Sequence, residues 1–219
     1  MRRLIDLSHA LEDGMAAYPG LPSPKIGPFL DHEASRPRYQ GRAEFYLGKI
    51  EMACNVGTYL DSPFHRYAAG ADLSQIPLEK IAGLPGIVLD AAGSYPGPIR
   101  LNPSEAELHA KAVLIRTGWD ERWGSQRYFE PGPYLGGEFV ELLIRAGAAL
   151  VGVDFWNIDD TTDPARPAHT RLLAAGILIV EHLSNLAALP LSGFRFYAVP
   201  PRIVRGASFP VRAFAETDQ

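Results

Sequence analysis

Three short apolar runs constrain this chain more than any other feature: AVLIRTG (112–118), ALVGVDF (149–155) and GILIVEHL (176–183). Each is rich in aliphatic and β-branched residues and is closed by polar or turn residues, which predicts a strand. Between the first two lies GEFVELLIRAG (137–147), which puts Phe139, Leu142, Leu143 and Ala146 on one helical stripe and stops at Gly147. A glycine there closes a helix readily because it takes the left-handed conformation without strain. HTRLLAAG (169–176) predicts a shorter helix with the same ending. Residues 112–183 therefore read β-α-β-α-β, with parallel strands joined by crossover helices. FYLGKIEMA (45–53) and GIVLDAA (86–92) predict two more strands, and the N-terminal third reads as more antiparallel and loop-rich. The fold class is α/β. A single domain over 1–219 is expected, since 219 residues bury one substantial core and are short for two.

At the carboxyl ends of the predicted parallel strands stand Arg116, Thr117, Asp154 and Glu181, where ligands gather in open α/β sheets. The net charge of -4 gives no attraction toward nucleic acid or an anionic membrane surface, so a small-molecule substrate is expected. The lone Cys54 leaves no internal disulfide and, in EMACN, reads as a buried small apolar residue. That cysteine usage suits a reducing cytoplasm. Asp6, His9, Glu12 and Asp13 break any secretory apolar segment, and no apolar run approaches the roughly 18 residues that span a bilayer. No G-x-S-x-G, G-x-G-x-x-G or Walker A sequence occurs, which argues against an α/β-hydrolase serine and against nucleotide cofactors.

The chemistry concentrates in MACNVGTYLDSPFHRY (52–67). Asn55, Gly57, Tyr59, Asp61, Pro63 and His65 share one parity, yet in an extended chain the ends would lie roughly 33 Å apart at about 3.3 Å per residue. Gly57 and Pro63 must bend the segment if these residues share a pocket. Aspartate and histidine suit zinc or manganese, and HTRLLAAGILIVEHL brings His169 and Glu181 as possible completing ligands. Glu181 follows Ile177 and Ile179 on one face of a strand expected to be covered on both sides, so its charge needs a compensating cation, either a metal or an arginine such as Arg116. His65 and His169 also admit purely structural readings, as a hydrogen-bonded loop histidine and a helix-start residue. Asp159, Asp160 and Asp163 read as a solvated acidic loop, with a contribution to the pocket the lesser alternative, and Trp119 and Trp156 as either pocket lining or core.

The stretch at 55–65 resembles the H-x-G-T-H-x-D-x-P-x-H signature of the metal-dependent cyclase family, whose members include kynurenine formamidases and isatin hydrolases. LIDLSHALEDGMAAYPG, LIRTGW, GVDFWNID and AHTRLLAAGILIVEHLSNL extend the resemblance over nearly the whole chain. It implies a swivelling β/β/α cyclase-type domain with a mixed sheet, assembled as a homodimer or homotetramer. It also implies that Asp61, His169 and Glu181 are metal ligands and that His65 is the catalytic acid/base. Asn55 and Tyr59 depart from the signature, standing where two histidine ligands would be; both are read as substrate-binding, as is Tyr18 in the YPG loop. Three protein ligands remain, which suits one divalent metal per chain, Zn2+ ahead of Mn2+. The implied reaction is hydrolysis of an amide or cyclic amide in a small aromatic substrate, arylformamidase-like. The alternatives are a lactone or cyclic imide hydrolase and a metal-free member that only binds a small molecule.

Overall fold

The computed structural model describes residues 2–93 and 95–218. Thirteen strands occur among them: β1 (Arg2–Asp6), β2 (Lys25–Leu30), β3 (Leu47–Glu51), β4 (Tyr59–Asp61), β5 (Ala82–Asp90), β6 (Gly97–Ile99), β7 (Ala112–Arg116), β8 (Pro133–Leu135), β9 (Leu150–Val153), β10 (Leu178–Glu181), β11 (Ser192–Tyr197), β12 (Ser208–Pro210) and β13 (Phe214–Asp218). The helices are α1 (His32–Ser35), α2 (Glu105–Leu108), α3 (Gly137–Ala146) and α4 (Pro167–Ala174). Nine strands form one mixed sheet in the order β1-β13-β11-β5-β7-β9-β10-β4-β12. Its centre, β5-β7-β9-β10, is parallel, as the β-α-β-α-β pattern predicts, and the flanking strands are antiparallel.

Alternation along the central strands explains both faces of the core. Val113, Ile115, Val151, Val153 and Ile179 pack under α3 and α4, against Phe139, Leu143 and Leu172. Ala112, Leu114, Leu150, Leu178 and Val180 face the other way, onto Leu60, Phe194 and Phe196. These strands are apolar throughout because both faces are covered. α3 ends at Gly147 with φ 67, and α4 gives way to Gly176 with φ +72, the conformations expected of terminating glycines. No helix of the described residues is long and apolar enough to cross a membrane.

The strand expected at 45–53 forms as β3, outside the main sheet, and pairs with β2 in an exposed antiparallel hairpin. One sequence expectation is corrected. The strand-end residues Arg116, Thr117, Asp154 and Glu181 do not form one cluster. Arg116 pairs with Asp90, its neighbour across β5 and β7, whereas the Asp154 carboxylate accepts from Thr117 N (2.8 Å), Thr117 Oγ1 (2.5 Å) and Gly118 N (2.8 Å). Asp154 thus braces the turns leaving β7 and β9.

Burial pushes Asp154 up to about 7 against those three donors, above the value near 3.9 of an unfolded aspartate. The folded chain holds this proton more tightly than the unfolded one, so the associated stability is present below about pH 4 and lost as pH rises through about 7. Asp154→Asn keeps an acceptor for the two backbone N–H groups and removes the charge. Between about pH 5 and pH 8 the Tm of this variant is expected to fall less than that of the wild type, by about 2–4 °C for each kcal/mol involved. Thermal unfolding followed across that range checks this; parallel curves would show that Asp154 does not titrate there.

Candidate metal centre

Strand register assembles the site. β4 runs antiparallel to both β10 and β12, with Tyr59 opposite Glu181 and Asp61 opposite Ser208. Residues two apart on a strand share a face, so Tyr59, Asp61, Glu181 and Ser208 all project toward the side covered by α4. The two bends expected in the 55–65 stretch are present. Gly57 adopts φ +68, a left-handed conformation that favours glycine, and a Cβ there would meet Leu11 Cδ2 at 2.5 Å. After β4 a 3-10 turn, Pro63–His65, folds the chain back. It brings His65 Nδ1 to 3.7 Å from Asp61 Oδ1.

His169 arrives from α4, and Asp159 positions it. The Asp159 carboxylate caps the helix by accepting from Ala168 N (2.6 Å) and His169 N (3.2 Å), and it also lies 2.6 Å from His169 Nδ1. Asp159 is therefore buried rather than part of a solvated acidic loop. Its contact with Nδ1 fixes the imidazole so that Nε2 faces the centre, as carboxylates commonly do for metal-binding histidines.

At the centre, His169 Nε2 lies 3.6 Å from Asp61 Oδ2 and 3.7 Å from Glu181 Oε1. The outer oxygens of the two acids are already satisfied by neutral donors. Tyr59 donates its phenol to Glu181 Oε2, Ser208 its hydroxyl to Asp61 Oδ1, and Asn55 Nδ2 is 3.3 Å from the same oxygen. Of the inner oxygens, Glu181 Oε1 accepts from Ile158 N at 2.6 Å, and Asp61 Oδ2 is buried with no hydrogen-bond partner. Both acids are fully buried. The arginine alternative for Glu181 is thus corrected: its charge meets a phenol, a backbone N–H and an imidazole, and Arg116 is engaged with Asp90.

The electrostatics follow from this crowding. Burial lowers the His169 imidazole, but Glu181, Asp159 and Asp61 outweigh it and hold its pKa at about 10. Burial pushes Glu181 up to about 7, with His169 opposing. A site that draws a proton this strongly onto an imidazole between carboxylates is also one that draws a cation. Metal bonds of about 2.0–2.2 Å in tetrahedral geometry separate ligand atoms by about 3.3–3.6 Å, close to the spacings here. The spacings from His169 Nε2 to Asp61 and to Glu181 are therefore compatible with shared ligation of a divalent ion. Asp61, His65 and His169 also offer ligand atoms within 4.8 Å of one another, so His65 borders the same space. Burial is the largest influence on His65 and lowers its pKa, which leaves it neutral near pH 7.

The other expected site residues fall less centrally. Tyr59 is 3% exposed, with its ring 5.3 Å from that of His182; its phenol serves Glu181 rather than an open pocket. Asn55 likewise turns its amide to Asp61. Tyr18 is half-buried and packs on Trp156 at a centroid distance of 5.4 Å. Trp156 and Trp119 are both buried, their indole N–H groups donating to Glu130 O (3.0 Å) and Tyr128 O (2.8 Å). Cys54 is exposed, correcting the expectation of a buried residue. Sequence reasoning missed Asp159 and Ser208. Asp159 stands ten residues before His169, across a loop that leads into the first turn of α4, a spacing that carries no local signal, and Ser208 lies in an unmarked run, GASFP.

Comparison with known proteins places relatives around this geometry. Residues 5–160 match the family model described as "Putative cyclase". Kynurenine formamidase of Salinibacter ruber is 28% identical over 221 residues, covering 96% of this chain and 95% of that protein. Kynurenine formamidase of Geobacillus thermodenitrificans is 30% identical over 203 residues, covering 87% and 91%. Isatin hydrolase A of Labrenzia aggregata, solved bound to benzyl benzoate, shares the fold with a TM-score of 0.81 at 23% identity, over 100% of this chain and 94% of that one.

Proposed function

The chain belongs to the cyclase family, and from that premise we propose that it is a metal-dependent hydrolase of an amide or cyclic amide bond in a small aromatic substrate, with N-formyl aromatic amines as the leading class. One observation carries the reading. His169 Nε2 faces two buried carboxylates, Asp61 Oδ2 at 3.6 Å and Glu181 Oε1 at 3.7 Å, and Asp61 Oδ2 has no hydrogen-bond partner; such a cluster needs positive charge at its centre, from a proton or from a metal ion. Asp61, His169 and Glu181 would hold the ion, and Asp159 keeps His169 turned toward it. Because Tyr59, Asn55 and Ser208 already occupy the outer oxygens, the donor set suits one ion per chain. Zinc is favoured by the His/carboxylate set, with manganese the alternative.

A divalent ion in this position supplies Lewis-acid polarisation of a carbonyl and lowers the pKa of water toward neutrality. The chain's own residues do the rest. Asp61 and Ser208 flank Nδ1 of His65, with the Ser208 hydroxyl 3.4 Å away. The Nε2 of His65 takes part in none of the hydrogen bonds of the described residues, and 28% of the side chain is exposed. His65 is assigned to accept the proton of the attacking water and return it to the leaving amine, which needs no covalent intermediate. Tyr18, on its Trp156 support, is assigned to the aromatic ring of the substrate. The protein is expected in the cytoplasm, with a role in breaking down aromatic amides such as those of tryptophan catabolism, and as a homo-oligomer.

Elemental analysis of the purified protein, paired with hydrolysis of an N-formyl aromatic amine before and after chelation, tests the reading. About one divalent metal per chain, and turnover lost on chelation and regained with zinc or manganese, is the expected result. A chain that takes up neither metal would sink it.

A further inference from the structure

His65 stands on a turn whose backbone is held tightly and whose ring is held at one nitrogen. Its N–H donates to Ser62 O (2.9 Å), and Phe64 N donates to Ala71 O (3.1 Å). Gly70 lets the returning chain pass this close, since a Cβ there would meet Pro63 C at 2.7 Å. The half-buried imidazole meets one hydrogen-bonding group among the described residues, Ser208 Oγ, 3.4 Å from Nδ1. Asp61 Oδ1, at 3.7 Å from the same nitrogen, is beyond hydrogen-bond range.

What Ser208 can offer Nδ1 follows from its other contact. A hydroxyl has one proton to give. Ser208 gives it to Asp61 Oδ1, and that oxygen is an acceptor, because the Asn55 amide nitrogen, which only donates, also approaches it at 3.3 Å. Register fixes the pair, with Ser208 of β12 opposite Asp61 of β4, and at 1% exposure Ser208 has no solvent to turn to. Only lone pairs of Oγ are left to face His65. Nδ1 must therefore carry the hydrogen.

We propose that Ser208 is a positioning residue for the hydrolysis proposed above: it passes the orientation set by Asp61 to His65, holding the imidazole in the Nδ1–H tautomer with the lone pair on Nε2. The purpose of this device rests on the hydrolase reading, and its geometry does not. Which imidazole nitrogen is protonated is set by the hydrogen bond that the other nitrogen's neighbour allows. The opposite tautomer would turn an N–H toward the water that His65 has to deprotonate. Where a histidine is the base of a serine protease, the wrong tautomer costs about four decades in kcat. In the cycle, Nε2 takes the proton of the attacking water and returns it to the leaving amine, so the Ser208 proton stays on its oxygen throughout.

The test is the two-bond nitrogen–proton spectrum of the histidine rings in the full-length protein with zinc added, at about pH 8, above the ordinary histidine range. The His65 ring is identified as the one missing from His65→Ala. Wild type is expected to show Nδ1–H at His65. Ser208→Ala is expected to shift that ring toward Nε2–H while keeping the zinc content and KM of wild type, with kcat lower by about tenfold, the factor that one ordinary hydrogen bond commands. Ser208→Thr keeps the hydroxyl on a strand, where β-branched residues are at home, and is expected to restore both tautomer and kcat. A serine that only packs would change thermal stability or zinc content and leave the tautomer alone. Nε2–H at His65 in wild type, or Nδ1–H persisting in Ser208→Ala, would overturn the proposal. A wild type that holds zinc and the Nδ1–H tautomer yet hydrolyses no N-formyl aromatic amine would instead sink the hydrolase reading and uphold the tautomer, so the two ideas fail separately.

Discussion

Glu181→Gln is expected to leave a folded protein that no longer retains its metal. The substitution preserves shape: the amide oxygen can still accept from Ile158 N, which contacts Oε1 at 2.6 Å, and the Tyr59 hydroxyl can turn to accept where it now donates. What is lost is the negative charge facing His169 Nε2. Altering a residue that merely supports a ligand costs about 10–100-fold in metal affinity, and losing an anionic ligand is expected to cost at least the upper end of that range. Hydrolysis should fall by about three decades, since Lewis-acid polarisation is worth several kcal/mol and each 1.36 kcal/mol is tenfold in rate. Thermal denaturation offers a readout independent of activity. Zinc at about a hundred times its dissociation constant stabilises wild type by about 2.7 kcal/mol, a rise of roughly 5–10 °C in Tm for a chain of this size. The variant should show almost none of that rise. Equal metal content and an equal thermal shift in the two proteins would remove Glu181 from the ligand set.

The legible and illegible parts of this molecule divide on physical lines. β7, β9 and β10 could be read because they are covered on both faces, and a strand in that position must be apolar along its whole length. α3 could be read because its stripe and its terminating glycine are local. β4 could not: it is three residues long, and its Tyr59 and Asp61 point into a polar site instead of a core. β12 contains Pro210, tolerable because β12 is a sheet edge, and Pro in a short run reads as loop. Among the site residues, Asp61, His65, His169 and Glu181 stood out through motif and residue type. The company they keep is a matter of register. Tyr59 meets Glu181 across 122 positions and Ser208 meets Asp61 across 147, separations that no local pattern encodes. Asp159 and Asp160 are adjacent and chemically identical, and only the placement of α4 makes the first a buried support for His169 and leaves the second bonded to Thr162.

His65→Ala separates proton transfer from metal binding. If His65 is the acid/base, the variant should retain the metal content of wild type while turnover falls by about 10²–10⁴-fold, the usual contribution of a positioned proton-transfer group. Truncation leaves room beside Asp61 and Ser208, the two groups that flank the imidazole in the wild type. Added imidazole should therefore restore part of the rate in this variant, and none in Glu181→Gln, whose defect is the missing ion. The neighbouring geometry gives the experiment a sharp opposite outcome. His65 shares with Asp61 and His169 a space in which their ligand atoms lie within 4.8 Å, so a His65→Ala protein that loses its metal would make His65 a ligand. The carboxylates bear on this choice. Glu181 is fully buried among apolar strands with its inner oxygen turned toward His169, whereas His65 keeps 28% of its side chain in solvent. A buried anion gains most from a cation, and a half-open imidazole is the group that can reach both water and a leaving amine. The metal should therefore stay with Glu181 and the proton should pass through His65.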